Sequence, residues 1–535
     1  MRIILILVFY LTAGIVFSQP IVKWQKTIGG DLLDELRDIE QTSDGGFILG
    51  GYSETGISGD KTDTSRGSRD FWPIKLNSVG VIEWQRTIGG NSYDHLNSIE
   101  QTDDGGYILC GYSGSDSTGE KNENSQGGID FWVIKLDALG QIQWQNTIGG
   151  SSADEIHEIR QTEDGGYVAV GDSYSGISGD KTENSVGDYD YWVVKLNSAG
   201  VITWQNCFGG IDEDIPYCIE QTSDGGYIVG GWSRSDSTGD KTEWSRGDKD
   251  YWVVKLDSIG IIQWDKTIGA FSRDEAYDIH QTSDGGYIVG GRSYTDSTGD
   301  QTEMGDGSVD FWVVKLSSTG ELVWQNAIGG AGSDWLYAIH PTSDAGFVLG
   351  GYSNSGISRD KTEVSRGGSD YWVVKIDSLG VVQWDKTVGG AGNDVLRSIW
   401  QTTDGGFILG GFSDSDISGD KTENSKGDID YWVVKLSPDP MGTAYEDVLI
   451  GNQMRVYPNP FSNRTVIEID RQNHTSELIL QVYNVAGMLM KTYQLSLGQT
   501  SQIIQASNYS PGIFFVTLTD DSVVCASVKF VILGN

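Results

Sequence analysis

The sequence predicts an all-β fold, a seven-bladed β-propeller followed by a small Ig-like β-sandwich, on three observations: an unbroken 60-residue period, four strand-like runs per period, and a change of composition near the C-terminus. Trp24, Trp84, Trp144, Trp204, Trp264, Trp324 and Trp384 mark the period, and the series from Trp72 to Trp432 repeats it in a second register. A unit of this size cannot bury its apolar face alone, so its copies must stack.

The unit from Asp94 onward displays the four runs in order. Ile99 to Thr102 is the first, and Asp104-Gly105-Gly106 turns it into Tyr107 to Tyr112. Asp-Gly and Gly-Gly accept the positive φ of a tight hairpin, so these runs pair antiparallel. A long polar loop leads to Phe131 to Leu136, and Ala138-Leu139-Gly140 turns that run into Gln141 to Ile148. β-Branched and aromatic residues dominate all four, with no helical period.

The ends of the array predict how it closes. The seventh repeat stops at Leu436, before Pro438 and Pro440, and so lacks a fourth strand. Pro20 to Thr27 matches Gly80 to Thr87 and supplies it from the other end of the chain. A ring sealed in this way has no exposed edge. The unit, with Asp-Gly-Gly-Tyr, Gly-Tyr-Ser and Asp-Tyr-Trp-Val-Val-Lys-Leu elements, resembles the β-propeller repeats common in secreted bacterial proteins.

Residues 1–18 read as a signal peptide: Arg2, the apolar stretch Ile3 to Phe17, and a cleavage site before Gln19. A membrane anchor is the alternative, against which the run is short and holds Thr12 and Gly14. No later segment is apolar enough to span a bilayer. The propeller is assigned to 19–437, a linker to 438–453 and a tail domain to 454–535. In the tail, Val456-Tyr457-Pro458-Asn459-Pro460-Phe461, Asn484-Val485-Ala486-Gly487 and Ser510-Pro511-Gly512 occur in an order similar to the type A sorting domain of type IX secretion in Bacteroidota. The resemblance implies export by the type IX machinery, with release or attachment at the outer-membrane surface.

The 75 acidic residues against 37 basic ones give a net charge of −38. From 451 to 535 five basic residues balance five acidic ones, so the excess belongs to the repeats. Such a field repels nucleic acid and suits cations or basic partners, unless it is simply a solvated surface. A monomer is expected.

Strand order puts the long loops between second and third strands on one face, the natural place for binding on a rigid scaffold. Asp236, Asp240 and Glu243 offer hard oxygen donors within one such loop, the donors calcium takes; as turn-forming residues they need no ion. The Asp34, Asp44 and Asp70 series recur in every blade and read as architecture. Trp244, Trp335 and Trp400 depart from the repeat and are candidate ligand contacts. Cys207 and Cys218 form either a disulfide or two unrelated thiols. No metal-ligand spacing, nucleophile elbow or phosphate loop appears. The functional expectation is a secreted or surface binding and adhesion scaffold for a protein or glycan. The alternatives are an extracellular glycoside hydrolase and a passive structural protein.

Overall fold

The structure, a computed structural model, describes residues 19–438 except 295–297, 303, 304 and 306, together with 454–457, 464–469, 478–484, 489–496, 499–505, 507, 509, 512–520 and 523–532. The signal-peptide assignment and nearly all of the linker lie outside the described residues. The chain divides into two compact units at Gly442/Thr443.

The first unit is a seven-bladed propeller. Each blade is an antiparallel sheet in the order first, second, third, fourth strand. In the second blade these are Asp94–Gln101, Tyr107–Ser113, Asp130–Leu136 and Ile142–Ile148. The seventh blade takes its fourth strand from the N-terminus: Val22–Ile28 pairs with Asp430–Leu436, from Val22 opposite Leu436 to Ile28 opposite Tyr431. The ring closes between blades seven and one, where Tyr431 Oη donates to the Trp72 carbonyl at 3.1 Å. The same bond joins Tyr191 to Trp252, Tyr251 to Trp312 and Tyr371 to Trp432.

Pro73 has a visible consequence. It cannot donate to the ladder, and the third strand of blade one splits into Asp70–Phe71 and Ile74–Leu76. Fully buried Trp72, Trp132, Trp192, Trp252, Trp312, Trp372 and Trp432 fill the spaces between blades.

The recurrent acids are architectural. Asp44 Oδ1 accepts from Thr42 Oγ1 at 2.5 Å and Gly46 N at 2.8 Å, and Lys75 Nζ meets Asp44 at 2.9 Å. Gly45 turns this hairpin with φ 80°, but blade six places Ala345 there at φ 65°. A side chain at positive φ costs about 1–2 kcal/mol. Ala345→Gly is therefore expected to raise stability by about 1 kcal/mol in denaturant unfolding.

On the opposite face, each first strand opens on a fully buried Asp. Asp34 Oδ2 takes the Gly30 N–H at 2.7 Å and the Thr55 hydroxyl at 3.1 Å, and burial pushes its carboxyl up to about 6. Buried Lys61 faces both Asp34 and Asp70 and lies 5.5 Å from the Trp72 ring centre. Blade five has Gln301 at this lysine position, while Arg359 from blade six reaches to 3.9 Å of Asp310. Arg359 stands in a glycine slot at φ 46°, so the chain keeps a cation beside Asp310 at a backbone cost.

The second unit has a three-stranded sheet, Met454–Tyr457, Arg464–Ile469 and Ser501–Gln505. Its four-stranded sheet comprises Leu489–Leu495, Leu478–Asn484, Gly512–Asp520 and Val523–Ile532. Ile467 and Ile504 of the first sheet share a core with Leu480, Val482, Val516 and Leu518 of the second.

Candidate functional site

The seven first strands surround a central channel, and a cavity in it is lined by residues from all seven. The register explains its character. Ile39 and its equivalents Ile99, Ile159, Ile219, Ile279, Ile339 and Ile399 never change and point into the blade interfaces, all buried. The residues around them change from blade to blade. At the position of Arg37 stand Asn97, His157, Tyr217, Tyr277, Tyr337 and Arg397; at that of Glu40 stand Glu100, Arg160, Glu220, His280, His340 and Trp400.

Toward the long-loop face, aromatic rings form a continuous arc. His157 lies 5.0 Å from Tyr217, Tyr217 4.7 Å from Tyr277, and Tyr277 5.3 Å from Tyr337. Arg397 extends the arc, its guanidinium 4.3 Å from the Tyr337 ring centre. Glu35 joins Arg397 to Arg37 of blade one, pairing with them at 3.2 Å and 3.0 Å.

At the next position along the strands, carboxylates alternate with small residues: Asp38, Ser98, Glu158, Cys218, Asp278, Ala338, Ser398. Each carboxylate accepts a backbone N–H of the next blade: Asp38 from Ile99 at 3.1 Å, Glu158 from Ile219 at 2.6 Å, Asp278 from Ile339 at 2.9 Å. Seven is odd, so strict alternation must fail once. It fails where Ala338 and Ser398 are neighbours, beside His340 and Trp400.

Toward the hairpin face the channel widens into a chamber of about 520 Å³, within the usual range for a small-ligand site. Glu100, Glu158, Glu163 and Glu220 line it with Arg160, His280, His340 and Trp400. Trp400 has the His340 ring at 4.1 Å and the Arg160 guanidinium at 5.8 Å. Burial opposes charge on His280, but Asp278 and the Glu220 carboxylate at 2.8 Å hold its imidazolium up to about 10. Burial, then the charge on His280, pushes His340 down to about 3. Burial pushes Glu158 up to about 7, against the pull of Arg160 at 2.5 Å. At neutral pH the His280 ring is thus cationic and the neighbouring His340 ring neutral.

The residues singled out from sequence have different fates. Trp400 is in the chamber. Trp335 is half-buried toward the long-loop face, stacked on Tyr352 at 5.5 Å, with the Arg292 guanidinium 3.4 Å from its ring centre. Trp244 stands on the long loop between the second and third strands of blade four, 70% exposed, and does not line the chamber. The structure does not bring Asp236, Asp240 and Glu243 together. Glu243 accepts from Thr267 N and pairs with Lys266 at 2.9 Å, while Asp240 takes the Gly209 N–H at 3.4 Å. Among the described residues no group of three or more His, Cys, Asp or Glu converges as a metal site.

Of the two readings for Cys207 and Cys218, the structure has the unrelated thiols and not the disulfide. Both thiols are free, as is Cys110. Cys207 lies on the outermost strand of blade three, opposite Trp192, and Cys218 on the innermost strand of blade four, opposite Gly230. The short connection between them runs from rim to hub, so closeness in sequence separates them in space. Burial pushes the Cys218 thiol well above its ordinary range.

The long loops are tied down more than they are open. Glu423 accepts from Thr27 N at 2.8 Å and Lys26 at 3.0 Å, and Lys421 Nζ donates to Ser413 Oγ at 2.7 Å. Sequence reasoning passed over the channel histidines and tyrosines. Their signal was present: positions that vary flank an invariant isoleucine in an otherwise constant repeat.

The regulatory protein FlaEY of Caulobacter vibrioides is 23% identical over 280 residues, which is 46% of this chain and 28% of that protein. The chain thus spans under a third of that relative's length. Among solved structures, BBS1N in complex with ARL6DN aligns at TM-score 0.42 and 11% identity, covering 79% of this chain and 99% of that one. A glycoside hydrolase family 32 protein from Bifidobacterium adolescentis aligns at TM-score 0.23 and 7% identity, covering 96% of each chain. The family model for the secretion system C-terminal sorting domain matches residues 455–533, so the tail of this chain is a sorting domain for secretion.

Proposed function

We propose that this is an exported binding propeller that takes a protein segment or glycan into its central channel. The observation that carries this reading is the distribution of variation. Scaffold positions are repeated seven times, whereas the Arg37 and Glu40 positions vary around the ring, with only blades five and six carrying the same pair. Rigid strands hold these side chains, which favours a preorganised site. The sorting domain supports passage through the type IX machinery of a Bacteroidota cell, after Sec export directed by residues 1–18. The propeller, 19–437, is then displayed or released as a monomer, joined by 438–453 to the tail at 454–535.

A hydrolase reading draws on Glu158 and Asp278, whose carboxyls are pushed in opposite directions as an acid and a base require. Both are occupied in accepting backbone N–H groups of the next blade, which favours binding over catalysis. A glycan array and a peptide panel on the full mature chain test the proposal. Binding is expected without turnover. Hydrolysis abolished by Glu158→Gln would replace this reading with the enzymatic one.

A further inference from the structure

We infer that the hairpin-side chamber receives an organic cation, a primary ammonium group held between the Trp400 ring and the carboxylates of Glu100 and Glu220. The inference rests on the channel being the binding site and names the chemistry of its guest. Charge supports it first. Four acids, Glu100, Glu158, Glu163 and Glu220, line the chamber against two cationic groups, Arg160 and the imidazolium of His280. Burial raises the Glu100 and Glu158 carboxyls, which marks acids whose ionised forms lack full compensation. A cation entering the chamber would supply it.

Geometry separates an organic cation from a metal ion. Because no three acids or imidazoles converge at ligand distance among the described residues, the excess charge is spread around a chamber of about 520 Å³. A diffuse field with an indole in the wall suits a bulky ammonium, which gains from the ring face as well as from carboxylates. The net charge of −38 on the chain would steer such a guest inward.

The test is calorimetry on the full mature chain with cadaverine, and with 1,5-pentanediol as its neutral counterpart. Cadaverine is expected to bind one to one and to weaken as salt rises, with no heat from the diol. Glu220→Gln and Trp400→Leu should each weaken it at least fivefold, and circular dichroism checks that both fold. Equal binding of the diol, no saturable site for cadaverine, or affinities unchanged in both variants would overturn the inference. If a neutral ligand from the panel loses affinity in Trp400→Leu and cadaverine does not displace it, the cation inference fails while the channel reading stands.

Discussion

Removing residues 19–28 is expected to lower the melting midpoint of the propeller by more than 10 °C. The segment is the fourth strand of blade seven, hydrogen-bonded along Tyr431 to Leu436. Ile28 is fully buried, and the Trp24 ring meets Phe47 edge-on at 5.8 Å in the neighbouring blade. Gln25 Oε1 accepts from Trp432 Nε1 at 3.1 Å, tying the strand to the buried tryptophan of its blade. At ~2 kcal/mol for a fully buried large apolar side chain, Ile28 contributes about 2 kcal/mol, and the half-buried Trp24 adds to it. Deletion also bares the edge of Asp430–Leu436 as a template for aggregation. A synthetic peptide of residues 19–30 should restore part of the loss in trans. An unchanged midpoint in differential scanning calorimetry would mean that the strand does not seal the ring.

Asp394→Ala is expected to destabilise the propeller by about 3 kcal/mol in chemical denaturation, because it breaks a buried charge cluster from one side. Asp394 is fully buried and accepts the Gly390 N–H at 2.6 Å and the Ser415 hydroxyl at 3.2 Å. Lys421, also buried, faces Asp394 and Asp430 over the Trp432 ring at 5.6 Å. Alanine leaves the ammonium and the Gly390 N–H underpaired in a site closed to water. Asp394→Asn keeps an acceptor for the N–H and should lose less. Equal stability of the alanine variant and the parent chain would remove the buried acids from the account of what holds the blades.

Much of the fold is legible in the residues because each blade states it again. Asp-Gly-Gly marks a hairpin through its turn chemistry, the tryptophan period marks the blade, and the prolines after Leu436 mark a missing strand. Functional residues are harder to read, for a physical reason. A strand's alternation tells which side chains share a face, but not that seven such faces meet on one axis. His157, His280 and His340 look scattered over 183 positions of sequence and stand in one channel. The cysteines fail in the opposite sense: Cys207 and Cys218 are close in sequence, but the chain travels from rim to hub between them. Trp400 was legible because it departs from a position otherwise held by charged or titratable residues. Trp335 departs as clearly, yet it packs on Arg292 within the wall.

Ligand recognition is proposed to reside in the channel and not on the long-loop face. Comparing Trp400→Leu with Trp244→Leu for any ligand drawn from the glycan and peptide panel tests it most directly. Trp400 lines the channel chamber, and Trp244 is an exposed loop residue of the same chemistry, so the pair separates place from residue type. At least a tenfold loss of affinity is expected for Trp400→Leu and a change within twofold for Trp244→Leu. A tenfold loss at Trp244 with none at Trp400 would contradict it and return the site to the loops.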